Sequence, residues 1–176
     1  MREIFVPTME AMNQEGRPFK GCLYFGLMLT GDGPKVIEYN CRFGDPETQV
    51  VLPLLKTDLL QIMDAVIDEK LEELAIEWDT GAAACVCIAS GGYPKKYQTG
   101  YEITGLDADG GLPGVAVYHA GTRFENGAFT NAGGRVLGVT ARGETLDEAL
   151  AKSYAAVGSI HFQDMHYRRD IGKKKV

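Results

Sequence analysis

The stretch VIEYNCRFGDPETQ, residues 36–49, constrains this chain more than any other. An extended strand alternates its side chains, so Glu38, Asn40 and Arg42 are expected on one face and Ile37, Tyr39, Cys41 and Phe43 on the other. The second face is apolar and packable. The first lines up a carboxylate, an amide oxygen and a guanidinium, spaced roughly 6–7 Å apart. Two readings follow from this pattern. Hard oxygen donors beside a permanent cation suit a magnesium-bound polyphosphate and an anionic substrate. The same pattern also describes a half-buried edge strand with a solvated outer face. Beyond the strand, Gly44-Asp45-Pro46-Glu47 predicts a turn and a helix start, with Asp45 as N-cap and Pro46 at the first helical position. Arg42 is thereby expected near a helix N-terminus, a favourable place for anions.

Around this motif the pattern predicts a helix over residues 2–14, closed by Gly16-Arg17-Pro18. Strands are expected over 19–30 and 35–43, paired as a hairpin about the Gly31-Asp32-Gly33-Pro34 turn, with their apolar residues on a shared core. Helical spacing continues over 49–55 and 59–67, with Thr57 or Asp58 as the cap between them. Residues 70–77 read as acidic and amphipathic, leading into a linker that ends near Thr80. The composition then changes. Short β-prone runs at 83–89, 98–104, 115–120, 124–129 and 135–141 are broken by glycine-rich turns. Thr145 to Glu148 forms a capping box, and Leu146, Ala149, Leu150, Ser153, Tyr154 and Val157 share one helical face. The expected fold class is α+β, in two domains at 1–78 and 79–176.

Composition narrows the function classes. A hydrophobic share of 45% supports a core, and a net charge of −6 argues against a nucleic-acid partner. The basic end, Arg168-Arg169 with Lys173-Lys174-Lys175, reads as a solvated terminus rather than a nucleic-acid or membrane tail. No apolar run approaches the roughly 20 residues needed to span a bilayer, and no signal-peptide core is seen, so no membrane partner is expected. Cys22, Cys41, Cys85 and Cys87 lack a CxxC pair and lie at no ligand spacing from His119, His161 or His166. They read as buried thiols of a cytoplasmic protein.

Other motifs read as structure. Asp107 and Asp109 lack the spacing and terminal glutamate of a calcium loop. The Gly91-Gly92-Tyr93-Pro94 turn lacks the lysine–hydroxyl pair of a phosphate-binding loop. His119 reads as a structural hydrogen-bonder, Trp78 as packing at the domain junction, and Lys20, Lys35 and Lys56 as solvated surface.

The run FKGCLYFGLMLTGDGPKVIEYNCRFGDPETQVVLPLLKTDL, residues 19–59, resembles the phosphoribosylamine–glycine ligases, members of the ATP-grasp enzymes. The GGYP turn, the HAGT segment and the ending MHYRRDIGKKKV resemble the tail of that family. The resemblance runs in order along almost the whole chain and covers the last two-fifths or so of such a ligase. It implies the second half of an ATP-grasp core followed by a small β-rich domain with one long helix. It also implies a reaction: ATP-dependent joining of glycine to 5-phosphoribosylamine, giving glycinamide ribonucleotide, ADP and phosphate. Glu38 and Asn40 match the family's metal pair, with Mg2+ or Mn2+ as the ion. Arg42 matches the clamp on the carboxylate or acyl phosphate. Asp45 and Glu47 are candidate contacts to the glycine ammonium, or else a helix cap and a first-turn acid.

The partners implied are ATP, glycine, 5-phosphoribosylamine and the N-terminal part of the ligase. A chain starting here fits an engineered start, a misassigned gene start or a truncated gene product. Alone it is expected to be inactive and to self-associate through apolar surface on residues 19–55. Two other readings are a binding module that keeps the fold without ATP turnover, and a structural piece that joins a separately encoded N-terminal part.

Overall fold

The computed structural model describes residues 2–173. Two compact units emerge, one from residues up to 45 and 55–78, the other from Pro46–Leu54 and residues from 79 onward.

In the first unit, helix α1 (Phe5–Gln14) is followed by Gly16 in the left-handed region, which only glycine adopts freely. Strands β1 (Tyr24–Thr30) and β2 (Gly33–Asn40) form an antiparallel hairpin about Gly31 and Asp32. Aromatic rings join helix to hairpin. Phe5 stacks on Phe25 with centroids 4.1 Å apart, and Phe25 meets Tyr39 edge-on at 5.3 Å. Helix α3 (Leu59–Ile67) starts where Asp58 Oδ1 accepts from Leu60 N at 2.7 Å, so the cap is Asp58. At its other end Lys20 donates to the Ile67 carbonyl and pairs with Glu69 at 2.6 Å, which holds the Glu69 carboxyl below its ordinary range. Thr57 Oγ1 accepts from Glu77 N, and Trp78, about half exposed, bridges to Leu55. The acidic stretch after α3 makes only a single 3-10 turn, Leu71–Glu73.

Two expectations fail in this unit, the extent of the motif strand and the shared core, and a bulge interrupts the hairpin. The motif strand ends at Asn40, and Cys41 with Arg42 forms a bend, so Arg42 does not continue the strand's alternation. A β-bulge leaves Ile37 without a cross-strand partner, because Gly26 pairs with Glu38 and Leu27 with Val36. The hairpin forms, but no shared core does: none of this unit's apolar side chains among the described residues is fully buried.

The second unit holds the core. Strand β7 (Arg135–Gly143) pairs antiparallel with β3 (Ala82–Ala89) on one side and β4 (Ala116–His119) on the other. Val86, Ile88, Leu137 and Val139 are closed over by Val157, Ile160 and Phe162. Helix α4 (Leu146–Val157) begins with Thr145 Oγ1 accepting from Glu148 N, while Glu148 Oε2 accepts from Glu144 N. Its buried Ser153 donates to the Ala84 carbonyl and accepts from Ala141 N, tying helix to sheet at one cross-strand pair.

Residues 124–129, expected as one strand, are instead the turn of a hairpin. Strands β5 (Thr122–Glu125) and β6 (Ala128–Asn131) meet at Asn126-Gly127, both at positive φ. Residues 98–104 contribute only isolated bridges, at Glu102 and Thr104. The one-turn helix α2 (Thr48–Val51) and the 3-10 turn Leu52–Leu54 belong to this unit and lie against β3 and β7.

Candidate functional site

Glu38 and Asn40 stand at the end of β2, two residues apart and on one side of the strand. Their side chains converge. Asn40 Nδ2 donates to Glu38 Oε1 at 3.2 Å, leaving Asn40 Oδ1 and Glu38 Oε2 outside that bond. A residue that sequence reasoning missed makes room for this. Gly26 pairs with Glu38 across the hairpin, and a Cβ there would come within 2.9 Å of Glu38 Cγ. Its signal was available: a glycine inside an otherwise apolar strand marks a close approach.

Arg42 sits in the bend after the strand, exposed, with Nη1 donating to the Phe43 carbonyl at 2.7 Å. Asp45 and Pro46 fall in a turn rather than at the start of a helix. The N-cap of α2 is Glu47, whose side chain makes no capping bond while its carbonyl accepts from Val50 N and Val51 N. With four residues, α2 is a single turn that begins at Thr48, three residues beyond the expected cap Asp45. Glu38, Asn40, Arg42 and Asp45 belong to the first unit and Glu47 to the second.

Among the described residues no cluster of three or more His, Cys, Asp or Glu is placed to hold a metal ion. A carboxylate beside one amide fits a divalent ion that takes its remaining oxygens from phosphates and water. Lys20 and Lys56 are engaged with Glu69 and Glu77.

His119 donates from Nε2 to the Gly110 carbonyl at 2.9 Å, so its Nδ1 faces Thr122 Oγ1 at 2.8 Å as the other partner. It braces a turn, as expected. None of the four cysteines is in a disulfide, and only Cys85 is buried; Cys41 is exposed, and Cys22 and Cys87 are half-buried. The reading of four buried thiols fails at Cys22 and Cys41 because the first unit buries so little, and at Cys87 because its position on β3 is only half-buried. At the basic end, Arg168 forks onto Asp170 through two 2.9 Å bonds and Arg169 lies over Tyr167; Lys174 and Lys175 lie outside the described residues. No helix among the described residues is long and apolar enough to cross a membrane.

Two family models match. Residues 1–48 fit the ATP-grasp (A) domain of phosphoribosylglycinamide synthetase, and residues 83–174, just over half the chain, fit its C domain. The chain belongs to the phosphoribosylglycinamide synthetase family.

The phosphoribosylamine–glycine ligase of Clostridium acetobutylicum is 49% identical over 98% of this chain, which spans 41% of that protein. The trifunctional purine biosynthetic protein adenosine-3 of Gallus gallus is 51% identical over 96% of the chain, which spans 17% of it. Among solved structures, the phosphoribosylamine–glycine ligase of Thermotoga maritima matches with a TM-score of 0.79 at 34% identity, over 96% of this chain and 41% of that one. The match is to the C-terminal portion of these synthetases.

Proposed function

We propose that this chain supplies the metal- and glycine-side residues of a phosphoribosylamine–glycine ligase. The reaction joins glycine to 5-phosphoribosylamine at the expense of ATP and takes place in the cytoplasm. The observation that carries this reading is the convergent Glu38–Asn40 pair at the end of β2, in the segment that fits the ATP-grasp model. Glu38 and Asn40 would hold Mg2+ or Mn2+, which when bound spreads the charge of the nucleotide phosphates. Arg42, released from the Phe43 carbonyl, holds the two oxygens of the carboxylate or acyl phosphate in its planar fork. Asp45 and Glu47 contact the glycine ammonium. Residues 1–78 act as the second half of the ATP-grasp domain and 79–176 as the C-terminal domain. The part of the ligase outside this chain holds ATP and phosphoribosylamine, so the isolated chain makes no glycinamide ribonucleotide and is free to self-associate.

The test uses a complete ligase containing this chain. Glu38→Gln should lower turnover on the order of 10²-fold or more and alter its magnesium dependence while the fold persists. Arg42→Lys should be nearly as damaging as Arg42→Ala, because an ammonium cannot fork across two oxygens. Unchanged magnesium dependence in Glu38→Gln would sink the metal assignment. Restored activity in Arg42→Lys would sink the clamp.

A further inference from the structure

The three-stranded sheet of the second unit turns Val86, Ile88, Leu137 and Val139 toward the core. Alternation places Cys85, Cys87, Gly138, Thr140, Ala116 and Tyr118 on its other face, and the cross-strand register aligns Cys87, Gly138 and Tyr118 in one row. Gly138 leaves a notch in the middle of that row. A Cβ at this position would lie 3.3 Å from Cys85 Sγ, 3.8 Å from Tyr118 Cβ and 3.9 Å from Gln49 Cγ. The stem of Gln49, from α2, thus lies against bare backbone where a strand ordinarily carries a side chain. Gln49 Oε1 is sealed from solvent, and Thr140, two residues along β7 on the same face, is 2% exposed. Two residues before Gln49 stands Glu47, whose carbonyl accepts from Val50 N at 3.1 Å and Val51 N at 3.0 Å. Glu47 and Gln49 therefore belong to one turn, and every residue of this contact lies in the second unit.

Resting on the ligase reading, we propose that Gln49 is a positioning residue for glycine binding. It pins the turn that carries Glu47 onto β7, and Glu47 in turn meets the glycine ammonium. A helix of four residues cannot hold itself in water, so this turn needs an external anchor. β7 suits that role, because it is the central strand of the sheet and its opposite face is the buried core. A carboxylate binds an ammonium well only where it stays in place, and a displacement of about 1 Å is enough to weaken a positioned contact. The notch at Gly138 thereby sets glycine affinity through Gln49, without any residue of β7 touching substrate.

In a complete ligase containing this chain, Gln49→Ala should raise the KM for glycine on the order of tenfold, with the KM for ATP and the melting temperature little changed. Gly138→Val fills the notch from the sheet side and should move the glycine KM in the same direction. An unmoved glycine KM in Gln49→Ala, or equal rises for glycine and ATP, overturns the proposal. Hydrogen exchange in the 176-residue chain reads the pin without any chemistry. There Gln49→Ala should speed exchange at the Val50 and Val51 amides on the order of tenfold, while those of Val86 and Val139 stay as they were. Unchanged exchange at Val50 and Val51 overturns the pin. Glu47→Gln keeps this proposal apart from the reading beneath it. A raised glycine KM in Glu47→Gln beside an unmoved one in Gln49→Ala overturns the pin alone. An unmoved glycine KM in Glu47→Gln removes the glycine role of Glu47 and overturns the proposal through its premise.

Discussion

The two units of this chain solve the burial problem in opposite ways. The second closes nine apolar side chains into one buried cluster, including Val86, Ile88, Leu137, Val139 and Phe162, around a three-stranded sheet and one well-capped helix. The first has comparable apolar material but none of it among the described residues is fully buried, and Met28, Leu29, Ile37, Leu60 and Ile67 are exposed. Hydrophobic content therefore does not measure stability. What counts is whether the chain supplies both sides of each contact. The candidate site residues Glu38, Asn40 and Arg42 lie on the less buried unit.

The largest effect expected from this contrast is in hydrogen exchange. In the isolated chain, amides of β3 and β7 should exchange on the order of 10³-fold or more slowly than those of β1, β2 and α3, because only the former open with the global unfolding. Equal protection in both units would erase the distinction. Side-chain truncation sharpens it. Phe162→Ala should cost about 3–5 kcal/mol in denaturant unfolding, whereas Met63→Ala on the exposed side of α3 should change stability by less than about 0.5 kcal/mol. A large loss at Met63 would mean that α3 is already covered.

A smaller effect is expected at Gly26. In a complete ligase, Gly26→Ala presses a methyl against Glu38 Cγ and should raise the magnesium requirement several-fold with little change in melting temperature. An unmoved magnesium titration would show that Glu38 does not need that space. Smallest is a pH effect in the second unit. Lys152 and the Glu144 backbone N–H hold the Glu148 carboxyl below its ordinary range. A depressed folded value means this contribution is present above the unfolded carboxylate pKa and is lost as pH falls through the folded value. Glu148→Gln should flatten the acid side of the stability profile slightly. An unchanged acid limb in that variant would remove Glu148 from the account.

Short-range chemistry carried much of this structure in readable form. The cap at Thr57 or Asp58, the Thr145–Glu148 box and the tight turn joining β1 to β2 each depend on residues a few positions apart, and each forms, the cap at Asp58; of the face expected on α4, Ala149, Ser153 and Val157 are buried while Leu146 stands exposed. The Glu38–Asn40 pair was legible for the same reason, since alternation along a strand needs no knowledge of the rest of the chain. Alternation failed one step later, at Arg42, because where a strand stops depends on what its partner offers: β1 begins at Tyr24, opposite Asn40, and pairing ends there. Asn126-Gly127 was missed as a turn because flanking phenylalanines imitated a continuous strand, and only the packing of Phe124 against Phe129 across the hairpin reveals the fold-back. Gly26 marked a close approach already in the sequence, but that the approaching group is Glu38, twelve residues on, is set by the cross-strand pairing.

The sequence by itself determined the family, the α+β class, the cap of α4 and the order of the candidate site residues, because these follow from local stereochemistry and a specific motif. Tertiary structure alone decided which apolar residues are inside. It seats the segment Pro46–Leu54 in the second unit and leaves large aliphatic residues of the first unit exposed. Burial is a property of pairs of surfaces, and no residue carries in its own identity the surface that will meet it.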